Sequence, residues 1–187
     1  GPRMVFDLLD NPKTKPLVQQ VVVSVDRPEW TERLISNYCS DDDDSLLVCE
    51  ATPEVMKAIS DTVTPQGLVA TIATPPSPLK TEAPVSSSDN EKPQQLMYLL
   101  LDGVSDPGNV GTLLRSSVAV GVTAVVLLPG CCDVWNPKAV RSAMGTTFQV
   151  PILTVDSLEE AQQVMENWGV DNIHAATMET SGGAESV

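Results

Sequence analysis

Short apolar runs alternate with amphipathic stretches along the first part of the chain. The runs are rich in β-branched residues, as strands are, and a stretch between them carries Trp30, Leu34 and Ile35 at helical spacing. Proline at the first helical position marks the start of the helical stretches. The pattern predicts strands over residues 18–25, 46–49 and 68–73 and helices that begin at Pro28 and Pro53, which together make a small α/β unit.

The same alternation returns after residue 95 with more strongly apolar strands. Residues 96–101 are continuously apolar, which is typical of a strand buried on both faces of a sheet. Alternating strands and helices predict a parallel sheet with helices on its faces. The pattern predicts strands over 96–101, 124–128 and 172–176 and helices over 109–120, 137–144 and 158–168. The single histidine, His174, is then interpreted as a partly buried strand residue.

A proline-rich segment separates the two units. Residues 74–95 contain five prolines, three consecutive serines and mixed charge, without apolar periodicity. This composition is typical of a flexible linker or a long loop. We therefore expect an N-terminal domain over residues 1–76, a linker over 77–95 and a second domain over 96–187.

Positive charge is scarce in the second unit and confined to two segments. Its only Lys or Arg residues are Arg115, Lys138 and Arg141, against ten Asp or Glu residues. They lie in DPGNVGTLLR (residues 106–115) and NPKAVRSAMGTTFQVP (residues 136–151), each of which follows a predicted strand. Ligands of parallel sheets gather at the carboxyl ends of the strands. The clustering indicates a site for phosphate or for negative charge that develops in a reaction.

Spacing within the two segments supports this interpretation. Arg115 lies four residues after Gly111 on the same helix face, and a glycine there lets another group approach the backbone closely. The alternative for each segment is an ordinary turn or a solvated helix face. A dinucleotide site is disfavoured because the GxGxxG pattern is absent. One stripe of the second helix holds the remaining candidates, Lys138, Arg141, Ser142 and Gly145.

Composition narrows the function classes. A formal charge of −14 argues against tight nonspecific binding to nucleic acid, so an RNA partner would need a small basic patch or a second subunit. No apolar run is long enough to span a membrane, and no signal-peptide pattern opens the sequence. The four cysteines, of which Cys131 and Cys132 are adjacent, have no zinc-ligand spacing and no disulfide pattern. We expect reduced thiols, no metal, and an intracellular protein of the cytoplasm or an organelle.

The two cationic segments resemble the first and second motifs of the SpoU-type RNA 2′-O-ribose methyltransferases of the SPOUT superfamily. The N-terminal unit is similar to the small ribosomal-protein-like RNA-binding domain that precedes the catalytic domain in that family, through residues 1–5 and 61–67. The first motif, Asn-x-Gly followed by Arg, corresponds to Asn109, Gly111 and Arg115. The second, Lys-x-x-Arg, Ser, Gly, Phe and Pro, corresponds to Lys138, Arg141, Ser142, Gly145, Phe148 and Pro151.

The resemblance implies methyl transfer from S-adenosylmethionine to a ribose 2′-hydroxyl of structured RNA, with ribosomal RNA favoured over transfer RNA. Arg115 would abstract the hydroxyl proton or stabilise the alkoxide, and Asn109 would help to place the ribose. Thr177 is the implied cofactor contact, and the implied assembly is a homodimer. RNA contacts are implied for Lys138, Arg141, Ser142 and Arg3, and structural roles for Gly111, Gly145 and Pro151.

The family fold is a parallel-sheet domain closed by a trefoil knot. A third motif of the family supplies the knot, most of the cofactor pocket and much of the dimer interface. The sequence stops at residue 187, where that motif would begin, so the knot is expected to be missing and the methyl donor to bind poorly. A noncatalytic RNA-binding or ribosome-associated protein is the alternative, and a nucleotide-dependent oxidoreductase is a third hypothesis.

Overall fold

A computed structural model describes residues 1–39, 46–84 and 96–176 and shows two α/β units in sequence. The acidic run at 41–44, expected to be a solvated loop, and Thr177 lie outside the described residues. The chain opens with helix α1 (Pro2–Asp10), which the sequence pattern did not predict. Its proline stands in the first turn, where a backbone N–H has no partner within a helix.

The N-terminal unit contains a three-stranded mixed sheet. Its central strand β1 (Val18–Ser24) pairs in parallel with β2 (Leu47–Ala51) and antiparallel with β3 (Leu68–Ile72). Helices α2 (Pro28–Tyr38) and α3 (Pro53–Ile59) lie between these strands in the chain. The strands and helices predicted for this part of the chain are confirmed, with small shifts at their ends.

Helix α1 supplies much of the core of the N-terminal unit. Four of its side chains are buried at helical spacing against the sheet and α2. The Phe6 ring lies 5.6 Å from that of Trp30 and 6.1 Å from that of Tyr38, measured between centroids. The core residues contributed by α1 are Val5, Phe6, Leu8 and Leu9.

The second unit contains a three-stranded parallel sheet in the order β4-β5-β6. Each strand is followed by a helix, as the pattern predicted for the first two. The sheet comprises β4 (Tyr98–Leu101), β5 (Ala124–Leu127) and β6 (Ile152–Thr154), and the helices are α4 (Pro107–Val120), α5 (Pro137–Ala143) and α6 (Leu158–Asn167). A 3₁₀ turn, Thr146–Phe148, follows α5.

The parallel sheet is buried on both faces, as its apolar strands predict. Alternate residues of β5 point to opposite sides: Val125 and Leu127 pack with α4, whereas Val126 packs with α6. The tilted rings of Tyr98 and Trp168 lie 5.1 Å apart on the α6 side. This packing fixes α4 on one side of the sheet, where it also contacts α5.

Two differences from the sequence pattern concern short strands. Residues 172–176, predicted as a strand, are not a strand, and His174 is exposed rather than partly buried. A strand needs a neighbour for its backbone N–H and C=O groups, and no described strand pairs with these residues. Strand β6 was not predicted because it has only three residues and directly follows Pro151.

Part of the predicted linker lies against the second unit. Of residues 77–95, the structure describes 77–84. The Trp168 Nε1–H donates to the Leu79 carbonyl oxygen at 3.1 Å, and the Asn167 side-chain amide donates to the Lys80 carbonyl oxygen at 3.2 Å. Lys80 also forms an ion pair with Glu160 at 2.5 Å. Residues 79–80 are therefore held on α6.

The two units also meet at the turn between α5 and β6. Gly145 has a left-handed backbone (φ 83°), and a Cβ there would lie 3.2 Å from the Met4 side chain on α1. Phe148 from the same turn packs against the N-terminal core. The turn that carries part of the second cationic segment therefore packs against α1.

Candidate functional site

The first cationic segment begins as a capped helix. Asp106 is the N-cap of α4, and its Oδ1 accepts from the Asn109 backbone N–H at 2.9 Å. Such a bond satisfies one of the unpaired donors at a helix N-terminus. The cap uses the backbone of Asn109, and this exposed residue stands in the first turn of α4, the helix that follows β4.

Gly111 lies where α4 and α5 approach most closely. A Cβ at this glycine would stand 2.5 Å from Ser142 Cβ and 2.7 Å from the backbone nitrogen of Ala143, both on α5. The expected close approach is therefore made by α5 itself. The Ser142 hydroxyl donates to the Gly108 carbonyl oxygen at 3.0 Å, so this predicted RNA contact also ties the two helices together.

The second cationic segment is capped in the same way. Asn136 accepts from the Lys138 backbone N–H at 2.9 Å through its side-chain oxygen. The helix is followed by Met144, the one described residue other than glycine with a positive φ (53°), and then by Gly145. Two successive left-handed residues end the short helix α5 abruptly and direct the chain back toward α1. Pro151 then precedes β6, and its carbonyl oxygen accepts from the Val125 N–H at 2.9 Å.

The four predicted cations differ in their partners. Arg115 is exposed on α4, and within the described residues its guanidinium forms neither an ion pair nor a hydrogen bond. Lys138 is exposed on α5, and it too forms no ion pair with any described residue. Arg141 is bound by Asp61 at 2.5 Å. Arg3, on α1, lies 3.9 Å from Asp7 in a pair that is exposed on both sides.

A cavity lies at the carboxyl ends of β5 and β6. Its volume is about 470 Å³, and its walls are residues 127–135 and 154–156. The Cys132 backbone N–H donates to the Val104 carbonyl oxygen at 2.9 Å, which joins this wall to the loop after β4. A space of this size suits a small-molecule ligand. Sequence reasoning missed it, although a loop directly after a buried strand was the available signal.

The cavity wall is acidic and contains two thiols. Burial raises the pKa of the Cys132 thiol, the neighbouring carboxylates of Asp133 and Asp106 raise it further, and Lys138 acts in the opposite sense. The adjacent Cys131 thiol donates to the Leu101 carbonyl oxygen at 3.1 Å. Within residues 1–39, 46–84 and 96–176, no group of three or more His, Cys, Asp or Glu side chains is placed to hold a metal ion.

We expect alkylation of Cys132 by iodoacetamide to be slow at pH 8. Only the thiolate reacts, and the raised pKa keeps the thiol protonated to higher pH. In a chain with Cys39→Ala, Cys49→Ala and Cys131→Ala, which leaves Cys132 as its only thiol, the midpoint of the rate against pH should lie above about 8.5, the value of an ordinary cysteine. The same chain in urea is the control and should show the ordinary midpoint. Equal midpoints in both states would contradict the structure.

Comparison with known proteins decides the family of the C-terminal part. Residues 96–184 match the model described as the SpoU rRNA Methylase family. This part of the chain belongs to the SpoU family. The matched range includes both capped helices and all three cations of the second unit, so the resemblance seen in the two motifs is confirmed. In the part of the chain that the structure describes, no helix is long and apolar enough to cross a membrane.

Relatives of this SpoU segment act on ribosomal RNA according to their names. The mouse protein named rRNA methyltransferase 3, mitochondrial, is 43% identical over 100 residues, which cover 54% of this chain and 23% of the relative. The 23S rRNA (guanosine(2553)-2′-O)-methyltransferase RlmP of Bacillus subtilis is 37% identical over 100 residues, covering 54% of this chain and 35% of the relative. The chain thus spans about a quarter to a third of the length of these relatives.

Solved structures match over both units. The AdoMet-bound rRNA methyltransferase from Sinorhizobium meliloti superposes with a TM-score of 0.62 at 25% identity, covering 89% of this chain and 56% of the other. The SpoU methyltransferase AviRb from Streptomyces viridochromogenes, at 23% identity, has a TM-score of 0.66 and covers 89% and 57%. The mixed α/β fold with a parallel sheet is confirmed. The expected cofactor, S-adenosylmethionine, is confirmed at the level of the family.

Proposed function

We propose that this chain is the RNA-positioning part of a methyltransferase that transfers a methyl group from S-adenosylmethionine to a ribose 2′-hydroxyl of ribosomal RNA. One observation carries the proposal. Arg115, exposed and without a partner among the described residues, stands on a helix locked at Gly111 against the helix that bears Lys138 and Arg141. A cation without a carboxylate partner in so acidic a chain is suited to an anionic ligand.

The proposed chemistry uses Arg115 as the group nearest the reacting hydroxyl. A guanidinium stays cationic at every ordinary pH, so Arg115 serves as a base only where a phosphate of the RNA shares its proton. Otherwise it stabilises the negative charge that develops on the 2′-oxygen. Asn109, in the first turn of the same helix, orients the ribose. S-adenosylmethionine, when bound, supplies the methyl group on a positively charged sulfur.

RNA backbone contacts are assigned to the motif helices and α1. Lys138 and Arg141 lie three residues apart on α5 and bind neighbouring phosphates. The Ser142 hydroxyl donates its hydrogen to the Gly108 carbonyl oxygen, so toward the RNA backbone its oxygen acts as a hydrogen-bond acceptor. Arg3, exposed on α1, is the RNA contact assigned to the N-terminal unit.

The N-terminal domain (1–76) is proposed to recognise a local RNA fold, as the ribosomal-protein-like resemblance implies. The matched relatives are named for ribosomal RNA, which favours that substrate over transfer RNA. Several of them are named mitochondrial, which favours an organelle. A trefoil-knot region and a homodimer complete the proposed enzyme.

The methyl donor has two candidate contact regions. Thr177 keeps its role as the contact implied by the family. The cavity beside Trp135 is the second, because the carboxylates of Asp133 and Asp156 in its wall suit a cationic ligand and repel RNA phosphate. The alkylation of Cys132 distinguishes them, since S-adenosylmethionine in the cavity would protect the thiol and a donor held only at Thr177 would not.

The test of the function is methyl transfer in the full-length protein. We expect radioactive methyl groups from S-adenosylmethionine to enter unmodified large-subunit ribosomal RNA transcribed in vitro. A 2′-O-methyl group makes the adjacent phosphodiester resistant to alkali, so the label should appear in alkali-resistant dinucleotides. Label released as a methylated base would exclude ribose methylation. RNA binding without any label would favour the noncatalytic alternative.

A further inference from the structure

One acidic side chain of the N-terminal unit lies directly on the second motif. Asp61 Oδ2 accepts from Arg141 Nη1 at 2.5 Å, across 80 residues of sequence. The Arg141 side chain is 40% exposed and that of Asp61 is 61% exposed. The contact is therefore open to solvent. The other two cations of the second unit have no such partner among the described residues.

The loop that carries Asp61 is held in place on both sides of it. The Ser60 and Thr62 hydroxyls lie 2.9 Å apart in a hydrogen bond. At the other end, Gly67 has a left-handed backbone (φ 81°), and its carbonyl oxygen accepts from the Ser24 N–H at 2.9 Å. The side chain of Gln66, also from this loop, lies against Gly1 at the start of α1. The Asp61 carboxylate therefore lies on a loop that is held in place on both sides.

Helix α5, which carries Arg141, is also held in place by its neighbours. Helix α5 is fixed to α4 by the contact at Gly111, and the following turn is seated on Met4 and Leu8 of α1. Exposed ion pairs of this kind add little to folding stability, because water screens the charges and ordering long side chains costs entropy. Holding the units together is already achieved by apolar contacts. What the pair affects directly is the orientation of the Arg141 side chain, since one Nη atom is held at Asp61.

We propose that Asp61 is a positioning residue for Arg141 in RNA binding, an inference that rests on the proposed function. Arginine has five N–H donors in a planar fork, and the contact with Asp61 occupies one Nη atom, which leaves the remaining donors for a phosphate. Because Asp61 orders the side chain before RNA arrives, binding loses less side-chain entropy. The arrangement also makes the orientation of the motif-two cation depend on the docked N-terminal unit.

The test compares Asp61→Asn with Glu166→Gln in the full-length protein. Both changes remove one negative charge, and Glu166 is an exposed residue of α6. Affinity is measured by filter binding to in vitro-transcribed large-subunit ribosomal RNA. We expect Asp61→Asn to bind about three- to tenfold more weakly than Glu166→Gln, since one long side chain must then be ordered on binding. Asp61→Glu, which keeps the carboxylate, should recover part of the affinity.

A second measurement separates this inference from the proposed function. The Nε–H signal of Arg141 in a nitrogen–proton correlation spectrum should move toward that of a freely rotating arginine in Asp61→Asn, and stay in place in Glu166→Gln. This readout needs neither RNA nor the methyl donor, so it stands if the protein proves not to act on ribosomal RNA. Unchanged or tighter RNA binding in Asp61→Asn relative to Glu166→Gln would overturn the proposal, because the carboxylate would then be idle or would compete with phosphate.

Discussion

Replacement of Arg115 by Ala is expected to lower methyl transfer by about 10²–10⁴-fold, the range found when a group that moves a proton or stabilises developing charge is removed. The fold should be unaffected, because the guanidinium is exposed and makes no ion pair or hydrogen bond within the described residues. The loss should appear in the rate constant of the RNA-bound complex more than in RNA affinity, as for an interaction made mainly in the transition state. Single-turnover methylation of ribosomal RNA with S-adenosylmethionine is the measurement.

Two variants decide what the Arg115 result means. Arg115→Lys keeps the positive charge but replaces the planar fork by a single ammonium group, so we expect it to remain strongly impaired. Lys138→Ala removes a cation of the same site that is assigned to phosphate binding, and it should weaken RNA binding with a smaller effect on the rate of the bound complex. If Arg115→Ala weakened RNA binding and left the rate of the bound complex unchanged, Arg115 would only bind RNA.

Much of the second unit was predictable because its local signals agree with one another. The continuous apolar run at residues 96–101 gave a strand buried on both faces, and each capping residue stands directly before a helix. Since β4 and β5 are parallel neighbours, the segments that follow them had to emerge at the same edge. The proximity of α4 and α5 therefore followed from the strand order.

Contacts between distant parts of the chain were not predictable in this way. Asp61 and Arg141 are 80 residues apart, and neither is marked by local spacing as the partner of the other. The predicted strand at 172–176 failed because strand formation depends on a neighbouring strand, which local sequence does not reveal. The tethering of Leu79 to Trp168 likewise rests on a backbone carbonyl, which carries no sequence signature.

An acidic chain can still bind RNA if its few cations are grouped together, as they are on α4 and α5. Net charge governs attraction at long range, but salt at physiological strength screens exposed charges beyond about 8 Å. Lys138 and Arg141 stand within one turn of α5, and Arg115 stands on the helix packed against it. On the proposed function, these cations would bind phosphate locally, whereas the surrounding carboxylates would oppose nonspecific binding elsewhere.

The second large effect is expected from Gly111→Ala, which should destabilise the protein although alanine favours helices. The gain in helix propensity is about 0.5–1 kcal/mol. Against it, the new Cβ would stand 2.5 Å from Ser142 Cβ and 2.7 Å from the Ala143 backbone nitrogen, so α4 and α5 must move apart. Overpacking of this kind costs about 1–3 kcal/mol, and separation also strains the Ser142–Gly108 hydrogen bond. Urea unfolding measures the net loss.

The source of that loss can be located with three further variants. Ser116→Ala, on an exposed position of the same helix, tests propensity alone and should be neutral or slightly stabilising. Ser142→Gly alone loses the hydrogen bond to Gly108 and places a glycine in α5, so it is the reference for the double variant with Gly111→Ala. Relative to that reference, Gly111→Ala should cost less than it does in the unaltered chain, but it should still cost something because the Ala143 backbone remains in the way. No cost relative to that reference would place the clash in the Ser142 side chain only. A stabilised Gly111→Ala would mean that the helices are farther apart than the structure shows and that the contact at Gly111 does not align Arg115 with Lys138 and Arg141.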